Sequence, residues 1–177
     1  EALKKYIESN GLKVRHLIAT HGHIDHNFGD KFVYDTWGVK PEAGTADDQL
    51  FKSMPEQAKA ICGIDNLTQD DFVCVGKCLD EHDTVDFGSH KFTVLETPGH
   101  SPGGLTYYCE QERVAFTGDT LFQGSIGRTD FEGGSMFMML MSLRHLSQLP
   151  DDVRVFPGHG AETTIGAEVA SNPYIDR

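Results

Sequence analysis

Basic residues are scarce in this chain of 177: Lys and Arg number 15 against 27 Asp and Glu, for a formal charge of −12. No Lys/Arg run occurs, so there is no concentrated basic face, and nucleic acid is not expected as a partner because its binding rests on charge neutralisation. Cysteine is sparse too. Cys62, Cys74, Cys78 and Cys109 are too few for a disulfide scaffold, and Cys74 with Cys78 has no second pair at zinc-site spacing. All four read as reduced, buried small side chains. Long apolar runs are missing as well. The longest, around Met136 to Met141, falls far short of the ~18 residues a spanning helix needs, and the start lacks the apolar stretch of a signal peptide. These absences leave a soluble cytoplasmic protein that meets a small molecule and neither a membrane nor nucleic acid. Hydrophobic content of 38% is enough to bury a core, so residues 1–177 are read as a single domain. The chain opens at Glu1 rather than Met, already inside a helical pattern, which suggests that the true N-terminus lies upstream.

Periodicity predicts an amphipathic helix over residues 1–10, with Leu3, Tyr6 and Ile7 on one face and Gly11 as its C-terminal cap. A short buried strand, Val14 to Ala19, then leads into THGHIDH. Helices are expected over Phe28 to about Trp37 and over Asp47 to Cys62, the latter interrupted or bent near Pro55. After a loop region, Val85–Phe87, Phe92–Glu96, Leu105–Cys109 and Val114–Thr117 read as a meander of strands. Ser135 fits the N-cap of a helix through Leu149, followed by a strand at Val153–Phe156 and a short helix after Gly160. Sheet-forming blocks flanked by helices predict a layered α/β domain.

The chemistry concentrates in THGHIDH. His21, His23, Asp25 and His26 follow the first strand directly, so several ligand side chains radiate from one loop. Imidazole nitrogen and carboxylate oxygen are the donors that zinc, iron and manganese accept, and the alternation lets neighbouring residues serve different ions. Three single residues recur further on in a shared setting: His100 in TPGHSPGG, Asp119 in FTGDTLF and His159 in FPGHG. Each follows a predicted strand and each adjoins a glycine, Gly99, Gly118 or Gly158, which permits a sharp turn and a close approach. Together with the first cluster they complete a binuclear site.

THGHIDH followed by these three contexts resembles the metallo-β-lactamase fold superfamily, and GDTLFQGSIGRTDFEGG with the short C-terminus is similar to the small hydrolases of the glyoxalase II group. The resemblance implies a four-layer αββα sandwich with the site at one sheet edge. It also implies that His21, His23 and His100 hold one divalent ion, that Asp25, His26 and His159 hold a second, and that Asp119 bridges them. Members of the family ordinarily begin with several strands ahead of the first helix seen here, and this sequence lacks them.

Two cations a few ångströms apart lower the pKa of a shared water towards ~7, so a bridging hydroxide becomes available to attack a carbonyl carbon. A thiolate leaves with little protonation because a thiol's pKa is about 8.5, whereas an amide needs an acid. The expected function is therefore a glyoxalase II-like metal-dependent hydrolase of a small thioester or ester, with Asp25 and Asp119 as its catalytic carboxylates and zinc as the first-choice metal. The alternatives are a persulfide dioxygenase using one iron and a metal-binding module without turnover. Arg128 and Asp130 of GRTD read as an ion pair. His16, His82, His90 and His145 read as ordinary histidines, Met136, Met138, Met139 and Met141 as core filling, and Phe122 and Phe131 as either core or substrate mouth.

Overall fold

The computed structural model describes residues 2–175. In chain order it runs α1 (Ala2–Ser9), β1 (Leu17–Ile18), α2 (Ile24–Asn27), α3 (Asp30–Trp37), β2 (Pro41–Gly44), α4 (Asp48–Lys52), α5 (Met54–Cys62), β3 (Lys77–Leu79), β4 (Thr84–Phe87), β5 (His90–Glu96), β6 (Leu105–Cys109), β7 (Val114–Gly118), β8 (Leu121–Phe122), β9 (Ser125–Ile126), α6 (Met136–Leu146), β10 (Arg154–Pro157), β11 (Thr163–Thr164) and α7 (Ile165–Ser171).

Strands β1, β2 and β3 make a parallel three-stranded sheet, and a second sheet holds six strands in the order β11-β10-β7-β6-β5-β4. Short parallel strands need cover on both faces, and the buried apolar residues supply it. Ala19, Ile24, Ala43, Phe51, Met54 and Ala58 fill the seam between the small sheet and α4/α5. Leu79, Val85, Val94, Leu105 and Tyr107, with Ile18 packed on them, fill the seam between the two sheets. A third cluster, built around Leu95, Ala115, Met139, Leu143, Val155 and Ile165, joins the large sheet to α6 and α7. Three seams make four layers in the order α, β, β, α, as the resemblance implies. In β5 the neighbours Val94 and Leu95 enter opposite seams, the period of two demanded of a strand covered on both sides. Each large side chain fully buried in these seams contributes ~1.5–3 kcal/mol.

Several boundaries differ from the sequence expectation. The first strand shrinks to Leu17–Ile18, whereas the interruption expected near Pro55 is present, as two helices meeting at Ser53 with Pro55 in the first turn of α5. Proline lacks the N–H that a continuous helix needs there, but is tolerated where a helix begins. Helix α6 stops at Leu146, and β2 and β3 arise in segments without a strand signature. Gly11 does close α1 in the left-handed conformation, with Leu12 N–H donating to Ile7 O at 3.0 Å. Yet α1 buries none of its residues, and Leu3 and Tyr6 are exposed. Of the four α6 methionines only Met139 is buried, because a helix apolar on every side cannot turn all of them inward. Cys109 is buried, whereas Cys62, Cys74 and Cys78 are exposed and free.

Strand direction assembles the site. β5 is antiparallel to β6, β6 is antiparallel to β7, and β7 is parallel to β10, so β5, β7 and β10 all point the same way. Their C-terminal ends release His100, Asp119 and His159 at one edge of the large sheet. The loop after β1 is fastened to that edge by Leu105 N–H donating to Thr20 O at 2.7 Å and by the buried Tyr107 hydroxyl donating to Ala19 O at 2.8 Å. Nearby, the buried Glu168 of α7 accepts from Gly124 N–H at 2.8 Å, and Asn172 donates to Ser125 O at 3.0 Å, which steadies the β8–β9 hairpin.

Candidate metal centre

All seven residues nominated from the sequence converge. Donor atoms of His21, His23 and His100 lie within 4.8 Å of one another, as do those of His21, His26 and Asp119, and those of Asp25, His26 and His159. The local chain explains the sorting. His23 is extended (φ −81°, ψ 146°) and caps α2, which carries Asp25 and His26 in its single turn. Passing from extended chain to helix turns the second pair away from the first. Asn27 locks this bend, its amide donating to the carbonyls of His21 at 2.8 Å and His23 at 2.7 Å.

Two of the flagged glycines have the conformation that requires them: Gly99 (φ +140°) and Gly118 (φ +51°). Gly158 serves by close approach instead. A Cβ there would run into Asp119 Oδ1 and stand 2.7 Å from His26 Cε1, so any side chain displaces two of the clustered residues.

Within the cluster, His23 Nδ1 faces His100 Nε2 at 2.9 Å and His26 Nε2 faces His159 Nε2 at 3.1 Å. His100 Nδ1 lies 2.7 Å from Arg128 O; a carbonyl only accepts, so Nδ1 carries the proton and Nε2 is left facing the cluster. Asp119 reaches both sides, with Oδ2 at 3.5 Å from His100 Nε2 and from His159 Nε2, and Oδ1 at 3.4 Å from His26 Nε2. These separations are longer than ordinary charge-assisted hydrogen bonds. Two buried atoms, Asp119 Oδ1 and His21 Nε2, have no hydrogen-bond partner. Such a donor set, with orphaned atoms at its centre, fits a divalent cation.

Burial, then the neighbouring imidazoles, pushes His21 well below its ordinary pKa and His23 down to about 4. Burial opposes the proton on His26 as well, but the Asp119 and Asp25 carboxylates outweigh it and raise that group. Asp119 moves the opposite way, burial being outweighed by His26, His21 and His100, which hold its carboxyl below the usual value.

The cluster floors a cavity of about 280 Å³ whose walls include Ile61, Phe122, Gly127, Arg128 and Phe131. Phe131 stands edge-on to His23, with ring centroids 5.0 Å apart. The Arg128 guanidinium lies 4.2 Å above the Phe131 ring and is forked onto Asp130 at 2.6 and 2.8 Å, the expected ion pair. Phe122 and Phe131 therefore belong to the mouth. His16, His82 and His90 pair with Glu42, Glu81 and Glu112, outside the cluster. Sequence reasoning missed Asn27 and Ile61. The position of Asn27 directly after THGHIDH was a usable signal, whereas nothing in the sequence marked Ile61.

Among the described residues no helix is long and apolar enough to cross a membrane. Residues 1–159 match the metallo-beta-lactamase superfamily. Hydroxyacylglutathione hydrolase GloC of Haemophilus influenzae is 38% identical over 182 residues, covering 99% of this chain and 82% of that one. The crystal structure of BLEG-1 B3 metallo-beta-lactamase superposes with a TM-score of 0.87 at 34% identity, over 98% of this chain and 82% of that one. The di-iron-bound form of TTHA1623 gives 0.83 at 31% identity, over 99% and 84%. A match over most of the chain, together with relatives of the same fold at this level of identity, establishes that this chain belongs to the metallo-beta-lactamase superfamily.

Proposed function

We propose that this protein is a metal-dependent hydrolase that cleaves a small thioester or ester, working as one domain. His21, His23 and His100 would hold one divalent cation, Asp25, His26 and His159 would hold a second, and Asp119 would serve both. Zinc suits this donor set best, and iron and manganese also fit it. The observation that carries the reading is the pair of orphaned buried atoms, His21 Nε2 and Asp119 Oδ1, at the centre of the cluster. Leaving such a group unsatisfied costs ~1–3 kcal/mol, a cost that a cation removes.

When bound, the cations supply Lewis-acid polarisation of a carbonyl and a water acidic enough to attack at neutral pH. The chain's own residues supply the rest. Phe131, Phe122 and Ile61 give the cavity apolar walls that hold an acyl group and keep bulk water out. Arg128, 4.2 Å above the Phe131 ring and paired with Asp130, lines the same cavity as a polar part of its wall. Asp25 lines the same cavity with its side chain 47% exposed and 3.3 Å from His159 Nε2, placed to accept the proton released by the attacking water and relay it to the departing group. A thiol leaving group asks little of that step, since its pKa is ~8.5. Hydroxyacylglutathione is itself a thioester, so the 38% identity to GloC supports a thioester ahead of an amide.

The test is metal analysis of protein purified without added metal, with thioester hydrolysis measured on the same sample. About two cations per chain with thioester turnover is the expected result. A single iron with sulfur oxidation and no hydrolysis replaces this reading with the one-iron dioxygenase, and hydrolysis of a β-lactam in preference to any thioester replaces the substrate class.

A further inference from the structure

Asp47 ends the short 3-10 turn Thr45–Asp47 and is fully buried, at 0% exposure. Its Oδ2 accepts from Gly22 N–H at 2.8 Å and from the Ser101 hydroxyl at 2.8 Å, and its Oδ1 accepts from Gly103 N–H at 2.5 Å. Gly22 lies between His21 and His23, and Ser101 directly follows His100. The members of the buried trio thus hang from two loops distant in sequence, and this one carboxylate is bonded to both. The fit around it is tight. A Cβ on Gly103 would stand 2.5 Å from Asp47 N and 2.9 Å from Oδ1, and a Cβ on Gly22 would stand 2.7 Å from Leu50 Cβ.

The trio of Asp25, His26 and His159 is held otherwise. The His159 loop is tied to the end of β7 by Gly158 N–H donating to Gly118 O at 2.8 Å, and no buried carboxylate accepts backbone N–H bonds from both the α2 turn and the His159 loop among the described residues. Hydrogen bonds to an ionised acceptor are roughly twice as strong as neutral ones, and groups behind a ligand set typically alter metal affinity 10- to 100-fold.

We propose that Asp47 is a positioning residue that fixes the separation of the His21–His23 loop and the His100 loop, so that the buried trio takes up its cation first and more tightly than the open trio. This rests on reading the seven residues as metal ligands. A preset geometry spares the buried trio the ordering of two loops on binding, a cost that the open trio bears.

The experiment is a titration of the metal-stripped full chain with cobalt(II), followed by visible absorption, beside thermal unfolding of each metal-free variant. The wild type is expected to show two binding steps. Asp47→Asn keeps the side chain's shape but turns an amide N–H₂ against a backbone N–H, and is expected to weaken the tighter step 10- to 100-fold while moving the weaker step less than about twofold. Ser101→Ala removes one of the three bonds and keeps the charge, so it weakens the same step by less and provides a graded arm should Asp47→Asn fail to fold. Loss of thermal stability with both steps unchanged, or equal weakening of both, overturns the proposal while leaving the ligand reading intact. A wild type that takes up no cobalt overturns the ligand reading and the proposal with it.

Discussion

His21, His23 and His100 are 2–6% exposed, whereas the side chains of Asp25 and His159 are 47% and 56% exposed, although all five belong to one cluster. The two halves of the centre solve different problems. The buried half is assembled on the inner edges of both sheets, its loops bonded to a shared carboxylate and its carbonyls to Asn27. The open half sits on a single turn of helix and a loop, where it meets the cavity and whatever enters it. Burial confers order on one half and exposure confers access on the other; Asp119, within 3.5 Å of histidines of both, links them.

Three substitutions bear on this contrast. The largest effect is expected from Asp119→Ala, which removes the group common to both halves. Paired metal binding is lost and thioester turnover falls on the order of 100- to 1000-fold, while far-UV circular dichroism stays that of the folded domain. Full activity in this variant refutes the bridging role. The next effect is unequal by design. His23→Ala abolishes the tighter cobalt-binding step and leaves the weaker one, and His159→Ala does the reverse, both read by titration of metal-stripped protein. Identical titrations from the two variants erase the distinction between the halves.

The smallest effect concerns stability alone. Burial raises the pKa of Asp47, and the donors to both of its oxygens oppose that rise, whereas Asp30, in the first turn of α3 shortly after His26, is 7% exposed and burial alone raises its pKa from 3.8 to about 7. A folded pKa above the unfolded one means that the folded chain binds the proton more tightly. The stability present below the unfolded value is therefore lost as pH rises to about 7, at roughly 1.4 kcal/mol for each pH unit between the two values. Asp30→Asn, which cannot ionise, is expected to raise the melting temperature of metal-free protein by several degrees at pH 8 and to change it little at pH 4. An equal change at both pH values means that ionisation is not the source.

The seven clustered residues were legible in the sequence because four of them fall in THGHIDH and the other three, His100, Asp119 and His159, each stand beside a glycine at the end of a strand. The four layers were legible through the meander from Val85 to Thr117 and through α6. Strand β2 was not, since Pro41–Gly44 is buried at every position and so carries no alternation, and β8 and β9 are two residues each. Asp47 was invisible for another reason. It lies in TADD, a polar stretch that reads as surface, and its burial depends on donors contributed from Gly22 and from Ser101 and Gly103, residues far along the chain. The α6 methionines failed because MFMMLM is apolar on every side, so no period selects which one faces inward.

His159 follows β10, which inserts between β7 and β11, and it meets His26 across 133 residues of chain. A ribosome adds ~5–20 residues per second, so on the order of ten seconds separate the synthesis of these partners. Within that interval His100 emerges and can join His21 and His23, whereas Asp25 and His26 still lack His159. On the proposed ligand assignment, the open trio is therefore completed only once translation has passed β10, the second strand of the large sheet's parallel pair.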